Sequence, residues 1–90
     1  MHTKRRRKKT LSIVKELEEY KNNPSRYHWR FPIPRGIKRT PQGRYVAQIK
    51  IAGSTIHIGT YDSLIQAMLA YDKYIYWNKL SRTTNFIVEP

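Results

Sequence analysis

The sequence predicts an α+β fold: a three-stranded antiparallel sheet packed on one C-terminal helix, with an additional N-terminal helix. Two observations carry most of that prediction. Residues 44–51 and 54–59 alternate apolar and polar with period two around Ala52-Gly53, the pattern of a tight β-hairpin. Residues 63–79 repeat their apolar positions with the 3.6 period of a helix and open with Ser63 and Gln66, three residues apart, as a capping box. A shorter apolar stripe, Ile13, Leu17 and Tyr20 with Val14 beside them, adds the N-terminal helix over residues 10–22, with Thr10 or Ser12 as its cap.

Taken in order, residues 1–9 form a basic arm expected to be disordered, because six neighbouring cations repel. The N-terminal helix belongs to a segment spanning 10–23 and stops at Asn22, Asn23 and Pro24. Residues 24–34 hold Pro24, Pro32 and Pro34, with Tyr27, Trp29 and Phe31 between them. They read as an extended linker whose aromatic rings dock on the domain edge, in preference to stacking on single-stranded bases. The compact domain then spans 35–86. A first strand near 36–40 reaches 43–48 through the turn Thr40-Pro41-Gln42-Gly43. In the hairpin, pairing across Ala52-Gly53 sets Ile51 opposite Ser54, Lys50 opposite Thr55, Ile49 opposite Ile56, Gln48 opposite His57 and Ala47 opposite Ile58. Gly53 supplies the positive φ of the turn. Tyr45, Ala47, Ile49, Ile56 and Ile58 then share one face. Arg44, Val46, Gln48, Lys50, Thr55 and His57 share the other, so the register separates apolar from polar with Val46 as the exception. The C-terminal helix is apolar on more than one side through Ile65, Leu69, Tyr76 and Trp77. Either the N-terminal helix or a second copy of the chain is expected to cover that surface.

Composition bounds the function. The chain has 90 residues, with 18 Lys plus Arg against 6 Asp plus Glu, a formal net charge of +12. That length makes one small domain, too small for a deep-clefted enzyme. The absence of cysteine excludes disulfides and thiolate metal sites and fits a reducing compartment. No run of 18 apolar residues occurs, and no apolar segment follows the basic start, which argues against a membrane span or a secretory signal. The three histidines are not at metal-ligand spacing, and no nucleophile motif surrounds any serine. No cofactor is expected. The charge calls for a polyanion. Lys4, Arg5, Arg6, Arg7, Lys8 and Lys9 concentrate it at the start. A second block, Arg26, Arg30, Arg35, Lys38, Arg39, Arg44 and Lys50, contains no acid through residue 58. The arm suits a nuclear localisation signal, a minor-groove arm or an electrostatic tether.

Five pieces in order resemble the AP2/ERF DNA-binding domain family. They are Arg35-Gly36-Ile37-Lys38, Gly43-Arg44-Tyr45-Val46-Ala47-Gln48-Ile49, Ile58-Gly59-Thr60-Tyr61-Asp62, Ala67 with Ala70-Tyr71-Asp72-Lys73, and Asn85-Phe86. The resemblance implies a sheet laid in the DNA major groove and braced by the helix. It matches contact positions to Arg35, Gly36, Lys38, Thr40, Gln42, Gln48, Lys50, Thr55 and His57. Arg44 matches a basic position near the phosphates, and Tyr71 one that reaches a phosphate from the helix start. Arg35, Lys38, Gln48, Lys50 and His57 are expected on the groove floor, with Arg39, Arg44 and Tyr71 on the backbone. Plant members place Arg at the positions of Thr40, Lys50 and Thr55, Trp at those of Gln42 and His57, and Glu at that of Gln48. The chain therefore keeps the scaffold and changes the reading residues. Its short turn between the second and third strands is more similar to the apicomplexan AP2 proteins. The expected partner is double-stranded DNA, the expected role that of a transcription or chromatin regulator in a nucleus, without enzymatic activity. The alternatives are an accessory DNA-binding domain of an integrase or homing nuclease, and general RNA binding.

Overall fold

The computed structural model describes residues 12–90; the basic arm, Lys4 to Lys9, and the expected cap Thr10 lie outside the described residues. The chain runs through helix α1 (Val14–Asn22), a 3₁₀ turn (Pro24–Arg26), strands β1 (Tyr27–Trp29), β2 (Ile37–Arg39), β3 (Tyr45–Ile51) and β4 (Ser54–Tyr61), helix α2 (Leu64–Trp77) and strand β5 (Phe86–Val88). Strands β2, β3 and β4 make the antiparallel three-stranded sheet, and α2 packs on it, as the two periodicities predict.

The core lies between that sheet and α2. Ala47 and Ile49 of β3 are buried against Ala67, Met68, Ala70, Tyr71 and Ile75 of α2. Two alanines with no exposed surface let the helix lie close to the strands. The capping box is present in both directions: Gln66 N–H donates to Ser63 Oγ at 3.2 Å, and Ser63 N–H donates to Gln66 Oε1 at 3.2 Å. The helix ends at Trp77, two residues short of the sequence expectation. Asn78 caps it, Lys79 takes φ +51°, and Leu80 N–H donates to Ile75 C=O at 3.0 Å. This is the Schellman closure, with a lysine where glycine is usual.

The hairpin register holds from Ile51–Ser54 to Gln48–His57 and then shifts. Ala47 faces Gly59, not Ile58, so Ile58 is left without a cross-strand partner in a β-bulge. The bulge brings Tyr45 opposite Tyr61, and Val46 opposite Thr60. The hairpin turn uses positive φ at both central residues, Ala52 at +52° and Gly53 at +83°, the requirement of a type I′ turn. Gly43, at φ +84°, closes the β2–β3 turn by donating its N–H to Thr40 C=O at 2.9 Å.

Two expectations about the N-terminal third need correction. Helix α1 starts later than expected, and its N-cap is Ile13, with no side-chain cap, rather than Ser12. Ile13 is buried against the domain, so tertiary packing sets the helix start. Val14 is 71% exposed and stands apart from the stripe of Ile13, Leu17 and Tyr20. Residues 24–34 are more than a linker with docked rings. Their strand β1 pairs antiparallel with β5, Tyr27 to Val88 and Trp29 to Phe86, in a second sheet that sequence periodicity did not announce. Tyr20, Tyr27 and Phe86 form an aromatic cluster with centroids 5.2–5.9 Å apart. The cluster seats α1 beside α2, and Lys73 Nζ seals the contact by donating to Ser12 C=O at 2.6 Å and pairing with Glu16 at 3.0 Å. So the N-terminal helix covers part of α2, while Tyr76 and Trp77 stay exposed.

The two ends of the domain are joined through polar groups. Asp72 Oδ1 accepts from Asn85 N–H at 2.7 Å, and its Oδ2 from Phe86 N–H at 2.9 Å. The Asn85 side chain, 1% exposed, accepts from Arg35 N–H at 2.7 Å and donates to Arg35 C=O at 3.0 Å. Burial pushes the Asp72 carboxyl up to about 6, against the opposing pull of the two N–H donors and of Arg30. The folded value exceeds the unfolded one of 3.8, so the folded state retains a proton between 3.8 and about 6 that the unfolded chain has released. Stability from this group is therefore full at the acid side of that window and is lost as pH rises through about 6. At about 1.4 kcal/mol per pKa unit, the effect is roughly 2–3 kcal/mol. Urea denaturation of the wild type and Asp72→Asn at pH 4 and pH 7 tests it. The stability advantage of the wild type over the variant should shrink by that order at pH 7, and an advantage independent of pH would contradict it.

Candidate nucleic-acid interface

The outer face of the sheet, opposite α2, is built by register. Cross-strand partners share a face, so Lys38, Val46 and Thr60 form one row, Gln48 and His57 a second, and Lys50 and Thr55 a third. Lys38, Lys50, Thr55 and His57 are exposed; Val46, Gln48 and Thr60 are half-buried. No Asp or Glu lies between Arg26 and Tyr61, so the face carries cations and neutral hydrogen-bonding groups without opposing charge from its own strands. His57 Nε2 lies 3.0 Å from Thr60 Oγ1, which fixes the ring against the strand across the bulge.

The remaining candidates are distributed around that face. Arg39 is paired in register with Tyr45, itself opposite Tyr61, so it sits on the helix-facing side of the sheet at its edge strand, away from the three outer rows. Arg44 Nε pairs with Asp62 at 3.0 Å, an exposed ion pair at the sheet margin. Thr40 serves the turn, its Oγ1 accepting from Arg44 N–H at 3.0 Å, and Gln42 is exposed at the turn tip. Tyr71 lies in the middle of α2, not at its start, and is 5% exposed. A Cβ on Gly36 would stand 2.1 Å from the Tyr71 ring and 2.6 Å from Gln48 C=O, and Gly36 has φ +73°. Gly36 thus lets β2 pass over the helix. Burial raises the Tyr61 hydroxyl above its ordinary value of 10.0, keeping it neutral under the sheet edge.

At one end of the face, Arg35, Gln48, Lys50, Thr55, Tyr71 and Arg82 line an open recess of about 380 Å³. The Arg35 guanidinium stacks 4.4 Å from the Phe31 ring centroid. Sequence reasoning missed two residues of the outer face and its recess, Thr60 and Arg82. The outward position of Thr60 depends on the bulge; the aromatic pair Tyr45–Tyr61 was the signal that could have shown it. Arg82, whose Nη2 donates to Lys50 C=O, had no signal at all, because only the Schellman turn brings it back to the sheet.

Among the described residues, no cluster of three or more His, Cys, Asp or Glu side chains could hold a metal ion, and no helix is long and apolar enough to cross a membrane. No family model, curated protein or solved structure matches the chain.

The close approach of Gly36 to Tyr71 separates scaffold from contact. Gly36→Ala should lose more than about 2 kcal/mol of folding stability, from backbone strain and the clash together. Chemical denaturation measures it; a change under about 0.5 kcal/mol would show that the ring and strand can move apart.

Proposed function

We propose that the chain binds double-stranded DNA sequence-specifically, laying the outer face of β2–β3–β4 in the major groove, as an AP2/ERF-like module of a nuclear transcription or chromatin regulator. The observation that carries this reading is the acid-free outer face, whose three rows stand on a rigid sheet backed by α2. Side chains on alternate residues of such a sheet project together toward base edges. Lys38 can donate to guanine O6 and N7, and Gln48 can pair with adenine N6 and N7. His57, oriented by Thr60, offers a ring nitrogen in the same row as Gln48. Val46 and the Thr60 methyl supply an apolar contact suited to the thymine methyl group. The exposed margin, Arg44 and Gln42 with it, is placed for phosphates, which position the protein without reading sequence.

A binding screen over random duplexes tests the reading and should return one enriched motif; flat enrichment would overturn it. Double-stranded RNA at equal concentration should not displace the bound duplex, since the deep, narrow A-form major groove does not admit the sheet. On the motif so found, Gln48→Ala should lose about 1–3 kcal/mol and relax one base position. An equal loss on random duplexes would assign Gln48 to the backbone instead.

A further inference from the structure

We infer that the recess formed by Arg35, Lys50 and Arg82 is a phosphate-binding site that holds one DNA phosphodiester beside the reading rows; the inference rests on the proposed DNA binding. Three cations meet there without a carboxylate in the lining. Two of them are held in place by neutral partners. Asn85 fixes both backbone groups of Arg35, and the Phe31 ring takes one face of its guanidinium, leaving its in-plane N–H donors open. Arg82 is fixed by one N–H to Lys50 C=O, and its other donors remain available. Among the described residues, neither the Arg35 guanidinium nor the Lys50 ammonium makes a hydrogen bond or ion pair. Thr55, opposite Lys50 in register, adds a hydroxyl at the rim.

This set fits a tetrahedral anion better than a base edge. Planar guanidinium donors and an ammonium converging on one concavity match the non-bridging oxygens of a phosphate, and pre-positioned arginines lose little freedom on binding it. Base edges in the groove floor call for side chains that stand out from the sheet, as Lys38 and His57 do. Lys50 accordingly holds phosphate and not guanine. Gln48 belongs to both the recess and the central row, so a phosphate seated here fixes the distance from the backbone to that row.

The test uses duplexes of the selected motif in which single phosphates are replaced by neutral methylphosphonates. One replacement should weaken the wild type by roughly tenfold, the scale of a lost charge-assisted contact, and should cost Arg82→Gln clearly less, because only Arg35 and Lys50 then remain to hold the phosphate. Arg82→Gln should weaken target and random duplexes by the same factor and lower the salt slope by about 1. Arg35→Gln, whose backbone stays held by Asn85, should show the same reduced sensitivity and guards against a folding defect in the first variant. Unchanged affinity in both variants, or a loss confined to the target sequence, would overturn the site. If the wild type binds no duplex, titration with inorganic phosphate decides. Saturable NMR shifts at the Arg35 and Arg82 Nε–H groups, lost in Arg82→Gln, would support the site, and no shifts would overturn it.

Discussion

The domain depends on one polar junction, in which Asp72 grips the backbone of Asn85 and Phe86 while Asn85 grips the backbone of Arg35. It links the middle of α2, the last strand and the approach to β2, segments that no hydrophobic period brings together. Each buried group in it is paired, which is the condition for such a network to rigidify a fold and not weaken it. From it follow the pairing of β5 with β1, the seating of Tyr20 and Tyr27 on Phe86, and hence the position of α1. The same junction holds Arg35 at the mouth of the cationic recess. Stability and the geometry of the candidate site thus share a cause.

What sequence could show was set by how local the determinants are. The hairpin turn, the capping box and the two periodicities depend on neighbours in the chain, and the three-stranded sheet with its helix follows from them. The β1–β5 sheet depends on residues about sixty positions apart, and three-residue strands leave no readable alternation. The bulge at Ile58 is a single unpaired residue inside a regular pattern, invisible to period-two counting. It nevertheless decides that Thr60, and not Gly59, joins the outer face.

The candidate site was legible to the same degree. Lys38, Gln48, Lys50, Thr55 and His57 fall on the outer face because strand alternation places them there. Arg39, expected at the phosphates and not on the groove floor, is set by register on the helix-facing side of the sheet. The contact between Gly36 and Tyr71 accounts for both residues: the glycine is small and left-handed because the ring lies beneath it.

The outer rows contribute no side chain to the hydrophobic core: Lys38, Val46, Gln48, Lys50, Thr55, His57 and Thr60 are all absent from it. The outer surface and the folding core are in this sense separate coordinates of the sequence. A lineage could exchange Gln48 or His57 for other residues and alter the chemistry of the outer face while the junction, the bulge and the packing of α2 stay as they are. The bulge carries this separation furthest. By removing one residue from the ladder, it turns the end of β4 so that an already polar residue faces outward and an aromatic one inward, enlarging the outer polar surface without enlarging the core that supports it.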